Sequence, residues 1–139
     1  MYTMKQVCAQ VGMSYEALKF YCNQGLVPGV QRDERNRRVF DDHDVAWIKS
    51  LSCLKKCGMS IEQMKEYLTL CLQGEASIPA RQTMLTRQKE ALQLHLAQLQ
   101  ESLDFIEWKQ QFYEDVLAGR VPYHSNLLQK GRGRGNLNR

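Results

Sequence analysis

The sequence predicts a mainly α-helical chain, a winged helix-turn-helix DNA-binding domain followed by one long dimerisation helix. Three observations carry this. Two short, capped helical patterns flank Gly12, a basic hairpin pattern comes after them, and an apolar heptad runs through the last third of the chain.

Thr3 with Gln6 forms a capping-box pair, which opens a helix by satisfying its unpaired amides. Met4, Val7, Cys8 and Val11 recur at three- and four-residue spacing, so one face of that helix is apolar. Gly12 ends it, because glycine accepts the left-handed conformation that a helix C-terminus needs. Ser14 caps a second helix that turns Ala17, Leu18 and Tyr21 inward and leaves Tyr15 and Lys19 on other faces. Two helices this short bury little alone and must lean on later parts of the chain. The pattern is that of a helix-turn-helix whose second helix enters a major groove, so double-stranded DNA is the expected partner.

Gly25 stops the second helix, and Leu26 to Pro28 is extended. The run from Arg32 to Phe40 reads as a hairpin with a charged tip and a returning strand at Arg38 to Phe40. A basic hairpin beside a helix-turn-helix is a wing, whose Arg35, Arg37 and Arg38 are placed to grip phosphates beside the groove. Asp41 caps a third helix from Asp42 to Cys57 with Val45, Ile48, Leu51 and Leu54 on its core face, and Gly58 ends it. Ser60 with Gln63 opens a fourth helix through Leu72. These elements make a DNA-binding domain of residues 1–72, followed by a polar connector at 73–79 that closes on Pro79, where a helix starts well.

From there a helix over residues 80–118 runs without glycine or proline. Leu85, Leu92, Leu99, Ile106 and Tyr113 recur every seven residues, and Lys89, Leu96, Leu103, Gln110 and Leu117 stand four after them. Such a heptad seam is the signature of a coiled coil. A lone helix of that length spans about 58 Å at about 1.5 Å per residue, more than the preceding domain can cover. The seam therefore calls for a second copy of itself, a homodimer. Residues 119–139 form a basic tail, read as largely disordered from 129 onward because Gly-Arg-Gly-Arg-Gly has little apolar content.

Charge follows the same division. Residues 1–60 carry nine basic and six acidic side chains, residues 61–119 five and nine, and residues 120–139 five and none. Basic ends suit nucleic acid, and an acidic middle suits a solvated helix. No apolar run approaches membrane-spanning length and no signal-peptide pattern opens the chain, so a cytoplasmic protein without membrane contact is expected. Its five cysteines should then be reduced, and they match no structural zinc spacing. His43, His95 and His124 are scattered, and no phosphate-cradling glycine loop precedes a helix, so neither catalysis nor a cofactor is expected.

Tyr2-Thr3-Met4, Leu18-Lys19-Phe20-Tyr21, Gly25-Leu26, Arg38-Val39-Phe40 and Gly58-Met59-Ser60-Ile61-Glu62 together resemble the MerR family of bacterial transcription regulators, across residues 2–117. The family usually has arginine and two tyrosines where this chain has Lys19, Phe20 and Tyr21. It usually has glycine and an aromatic where this chain has Asn36 and Arg37. The resemblance implies an antiparallel coiled coil through Leu85, Leu92, Leu96, Leu99, Leu103, Ile106 and Tyr113. It also implies a pseudo-palindromic operator in an overlong promoter spacer, reaching RNA polymerase indirectly through the promoter. The implied DNA-binding residues are Thr3, Ser14, Tyr15, Lys19, Phe20, Tyr21, Arg35, Arg37 and Arg38.

The stretch from Ala46 to Ile61 and the connector from Gln73 to Arg81 are similar to the aldehyde- and electrophile-responsive branch (AdhR/NmlR-like) of that family. That likeness implies that Cys53 is a sensing thiol. Independently, Ala46, Ser50, Cys53 and Cys57 share a helix face of small residues, away from Ile48 and Leu51, with Lys49 and Lys56 nearby to favour thiolate. Cys53 and Cys57 are the effector-sensing candidates, and packing as a small hydrophobe is the competing role for each. Cys8, Cys22 and Cys71 lie on or near apolar stripes and read as packing residues. Two alternatives stand beside this reading: a metal-responsive regulator using Cys53, Cys57 and Cys71, and an architectural DNA-binding dimer that does not activate.

Overall fold

The structure is a computed structural model that describes residues 1–125, 127 and 128. In chain order the elements are β1 (Tyr2–Thr3), α1 (Met4–Val11), α2 (Tyr15–Asn23), β2 (Gln31–Arg32), β3 (Arg38–Phe40), α3 (Asp42–Lys56), α4 (Ile61–Leu72), a 3₁₀ turn (Glu75–Ser77) and α5 (Ile78–Leu117). The chain divides into two compact units, Met1–Leu92 and Gln93 onward.

Each of α1 to α4 starts where a side chain satisfies one of its free amides. Thr3 and Gln6 form the capping box of α1, Asp41 and Asp44 that of α3, and Ser60 and Gln63 that of α4; Ser14 caps α2. Gly12, at φ 79°, supplies the left-handed residue after α1. The inward faces converge on one core. Val7, Leu18, Leu26, Phe40, Ile48, Leu51 and Met64 are fully buried there, and Met84 of α5 packs against it.

The wing is broader than the hairpin read from sequence. Its sheet has three antiparallel strands in the order β1-β3-β2. β3 sits in the middle, with Tyr2 opposite Phe40 on one side and Gln31 opposite Val39 on the other. The N-terminal strand β1 is two residues long, too short for any alternation to announce it. The Tyr2 hydroxyl donates to Asp42 Oδ1 at 2.7 Å, tying that strand to the start of α3.

Residues 73–79 are more regular than their polar composition suggests. α5 begins at Ile78, so Pro79 is its second residue, where a missing amide costs the helix nothing. Ser77 is buried, its hydroxyl against the carbonyls of Leu70 and Gly74. Arg81 Nε donates to Ser77 Oγ at 2.9 Å and Arg81 Nη2 to the Gly74 carbonyl at 2.5 Å. A guanidinium held by the Gly74 carbonyl and the Ser77 hydroxyl, with that hydroxyl against the Leu70 carbonyl of α4, thus fixes the corner into α5.

No residue of α5 is buried within the chain. Its seam residues stand exposed, Leu96, Leu99 and Leu103 by half or more. In the second unit a ladder of Phe105, Trp108 and Phe112 also runs along the helix, with ring centroids 6.5 and 6.2 Å apart, and His124 meets Phe112 edge-on. The tail region expected to be disordered, residues 129–139, lies outside the described residues.

Candidate nucleic-acid interface

A cavity of about 370 Å³ opens where the starts of α1 and α2 meet the wing. Thr3 lines it from β1, Met4 and Lys5 from α1, Tyr15 from α2, and Arg32, Asp33, Asn36, Arg37 and Arg38 from the hairpin. Helix N-termini carry partial positive charge and free amides, and here they share a wall with arginines and a lysine. The combination suits a phosphate group.

The wing tip is built by one carboxylate. Asp33 Oδ1 accepts from the backbone amides of Arg35 and Arg37, both at 2.9 Å, and Asp33 Oδ2 accepts from Arg37 Nε at 3.1 Å. Asn36 takes the left-handed conformation at φ 62°, which asparagine tolerates better than most residues. The Arg37 amide, with the Arg35 amide and the Arg37 guanidinium behind it, holds the Asp33 carboxyl below the usual carboxylate range. The Arg37 side chain remains 63% exposed despite this pair. Arg38 is half-buried, and its Nη2 donates to Asn23 Oδ1 at 2.7 Å, clasping the wing to the end of α2.

Sequence reasoning named Thr3, Tyr15, Arg37 and Arg38, and the structure brings these four to one cavity. Lys19 and Phe20 are exposed on α2, and Arg35 is exposed at the wing tip. The Ser14 hydroxyl accepts from the Ala17 amide at 3.1 Å and so holds the helix start as well as lying beside it. Tyr21 is a correction. It is buried in the core with Leu18, so its ring supports the helix from behind and offers no side chain to DNA. Burial raises its phenol pKa accordingly. Lys5, Arg32 and Asn36 were missed. Arg32 stood in the same basic run, and asparagine at a hairpin tip was a turn signal.

All five cysteines are free thiols. Cys53 is exposed on α3 beside exposed Ala46 and Ser50, while Cys57 at the end of the helix is half-buried. Desolvation pushes the Cys8 and Cys22 thiols up, with Arg38 and Arg32 offsetting part of the effect at Cys22. Among the described residues no group of three or more His, Cys, Asp or Glu side chains stands together to hold a metal, so Cys53, Cys57 and Cys71 do not form one site. No helix among them is long and apolar enough to cross a membrane.

Comparison with known proteins agrees with this geometry. Residues 2–71 match the family described as MerR HTH family regulatory protein. An uncharacterised HTH-type transcriptional regulator of Haemophilus influenzae is 34% identical over 117 residues, covering 84% of this chain and 87% of that protein. The HTH-type transcriptional regulator AdhR of Bacillus subtilis is 34% identical over 87 residues, 63% of this chain and 62% of that protein. Among solved structures, HiNmlR, described as a MerR family regulator lacking the sensor domain and bound to promoter DNA, superposes with a TM-score of 0.73. It is 34% identical, and the match covers 84% of this chain and 89% of that one.

The wing tip responds to acid in a defined direction. Because folding lowers the pKa of Asp33, its contribution is fully present above the unfolded carboxylate pKa and is lost as pH falls through the folded value. The amide resonances of Arg35 and Arg37 should shift together with the Asp33 carboxyl in an acid titration followed by NMR. In Asp33→Ala that shared titration should vanish; its persistence would assign the turn to another group.

Proposed function

We propose, from the premise that this chain belongs to the MerR family of helix-turn-helix regulators, that it is an electrophile-responsive switch. It binds a pseudo-palindromic operator as a homodimer and changes transcription by distorting promoter DNA when Cys53 reacts with a small aldehyde or another thiol-reactive compound.

The observation that carries the sensing role is the exposure of Cys53 on a face of small residues. Ala46 and Ser50 leave room there for a ligand of a few atoms. HiNmlR, similar over most of its length, lacks the sensor domain. The addition is redox-neutral. The thiolate sulfur bonds to the aldehyde carbon, the carbonyl π pair moves to oxygen, and that oxygen takes a proton from water. The adduct adds volume on the outer face of a helix whose opposite face, with Ile48 and Leu51, is packed in the core. Close-packed elements answer such changes by moving between discrete arrangements. In a dimer, that movement resets the spacing of the two recognition helices, and the promoter experiences the new spacing as twist and bend.

On DNA, α2 enters the major groove with Ser14, Tyr15 and Lys19 toward base edges, and Phe20 reaches the flank. Thr3, Arg35, Arg37 and Arg38 meet the backbone around the cavity between helices and wing. The dimer closes on the seam of Leu85, Leu92, Leu96, Leu99, Leu103, Ile106 and Tyr113, supported by the exposure of these apolar side chains along a helix with no buried residue.

Three measurements test the parts separately. Replacing Leu99 and Leu103 together by Asp places unpaired charge in the middle of the seam. Sedimentation should then show monomers, and a variant still dimeric at micromolar concentration would refute the seam. Arg37→Ala removes one cation near phosphate, so the slope of log affinity against log salt should fall by about 0.9 with base preference unchanged. A changed base preference at constant slope would move Arg37 from the backbone to the groove. Cys53→Ser keeps the size of the side chain and loses most of its nucleophilicity. In a promoter fusion it should bind operator normally and fail to induce with small aldehydes, whereas Cys8→Ser and Cys22→Ser should still induce. Full induction of Cys53→Ser would rule out a thiol sensor at this position.

A further inference from the structure

The last carbonyls of a helix have no partner within it. At the end of α3 the Cys57 carbonyl finds one 31 residues away, as Gln88 Nε2 of α5 donates to it at 2.6 Å in a partly buried contact. The next residue leaves room for this. Gly58 sits at φ 90°, and a Cβ there would approach Gln88 Nε2 to 3.2 Å. The other end of the same helical turn belongs to the sensing candidate, because the Cys57 amide donates to the Cys53 carbonyl at 3.0 Å. A displacement of the Cys53 turn therefore moves the group that Gln88 holds. Gln88 itself lies between Leu85 and Leu92, at the start of the heptad seam. Arg81 ties α5 to Gly74 in the connector after α4, and Gln88 ties it to the end of α3.

We infer that Gln88 is a positioning residue that carries a change in the last turn of α3 into the dimer helix. This rests on Cys53 as the sensing thiol, and it names the contact through which that thiol acts. The chemistry sets the requirement at position 88, which must be a donor of this reach. A carboxylate is repelled by the carbonyls and the partial negative charge at the end of α3, whereas an ammonium satisfies both.

The test uses the full-length protein on its footprinted operator, with 2-aminopurine at the operator centre to report base unstacking. Wild type, Cys53→Ser, Gln88→Glu and Gln88→Lys are compared before and after alkylation by iodoacetamide, with adducts located by mass spectrometry. All four should bind operator within about twofold of one another. Alkylation should change the fluorescence of wild type and Gln88→Lys equally, leave Cys53→Ser unchanged, and change Gln88→Glu at least about fivefold less, at the low end of site-to-site couplings. Rescue by lysine excludes a merely structural role. If Gln88→Glu responds like wild type while Cys53→Ser is silent, the role of Gln88 is overturned and that of Cys53 stands. If Cys53→Ser responds like wild type, or wild type does not respond, the reading of Cys53 falls. Gln88 is then judged on the unmodified proteins. Gln88→Glu must differ at least about twofold from wild type in resting fluorescence and Gln88→Lys must not; equal signals overturn the inference. Should Gln88→Glu fail to fold, Gln88→Met, neutral and of similar length, takes its place with the same outcomes.

Discussion

An eight-residue helix and strands of two or three residues have no stability of their own in water, so α1, α2 and the wing exist only through the core they share. Phe40 is the clearest case. It is fully buried, lies on the central strand, and pairs across the sheet with Tyr2. The same burial that secures β3 fixes where Arg38 and Arg37 emerge beside α2. Burying Leu18 and Tyr21 on one side of α2 likewise leaves Tyr15, Lys19 and Phe20 on the other. The surface proposed to face the groove is thus the reverse of the core, and its precision is inherited from apolar packing.

Much of this was legible because it is local. Caps at Thr3, Ser14, Asp41 and Ser60 are written within three residues of the helices they open. The position of Cys53 off the Ile48 and Leu51 stripe follows from about 100° per residue. What escaped depends on partners distant in sequence. β1 is defined by pairing with β3, on the far side of two helices. Arg38 reads as a free cation until Asn23 is found against it, and nothing in the spacing of Gln88 and Cys57 announces their bond. Tyr21 was misplaced for a related reason. Periodicity placed it on the inward face and a family likeness placed it at DNA, and in the structure the inward face prevails.

Electrostatics divides labour in the first unit. Asp33 gives the wing its shape at the cost of setting a negative charge among the arginines. An exposed pair of this kind adds little stability, so its role is one of order: the guanidinium is held through its Nε while most of the side chain stays exposed.

The polar members of the α5 seam have a consequence for which chains can assemble. Of the registers the heptads allow in the proposed antiparallel dimer, one centred on residue 101 pairs Leu99 with the partner's Leu103, Leu96 with the partner's Ile106, and Gln110 with the partner's Leu92. The same register pairs Lys89 with the partner's Tyr113, a ring along which a lysine stem can lie while its ammonium stays in water. A slip of one heptad would set that lysine against the partner's Ile106 instead. In the proposed dimer, Lys89 and Gln110 weaken the seam and so favour a register that gives both of them tolerant partners over one that does not, which is how a chain of this kind discriminates against mismatched helices.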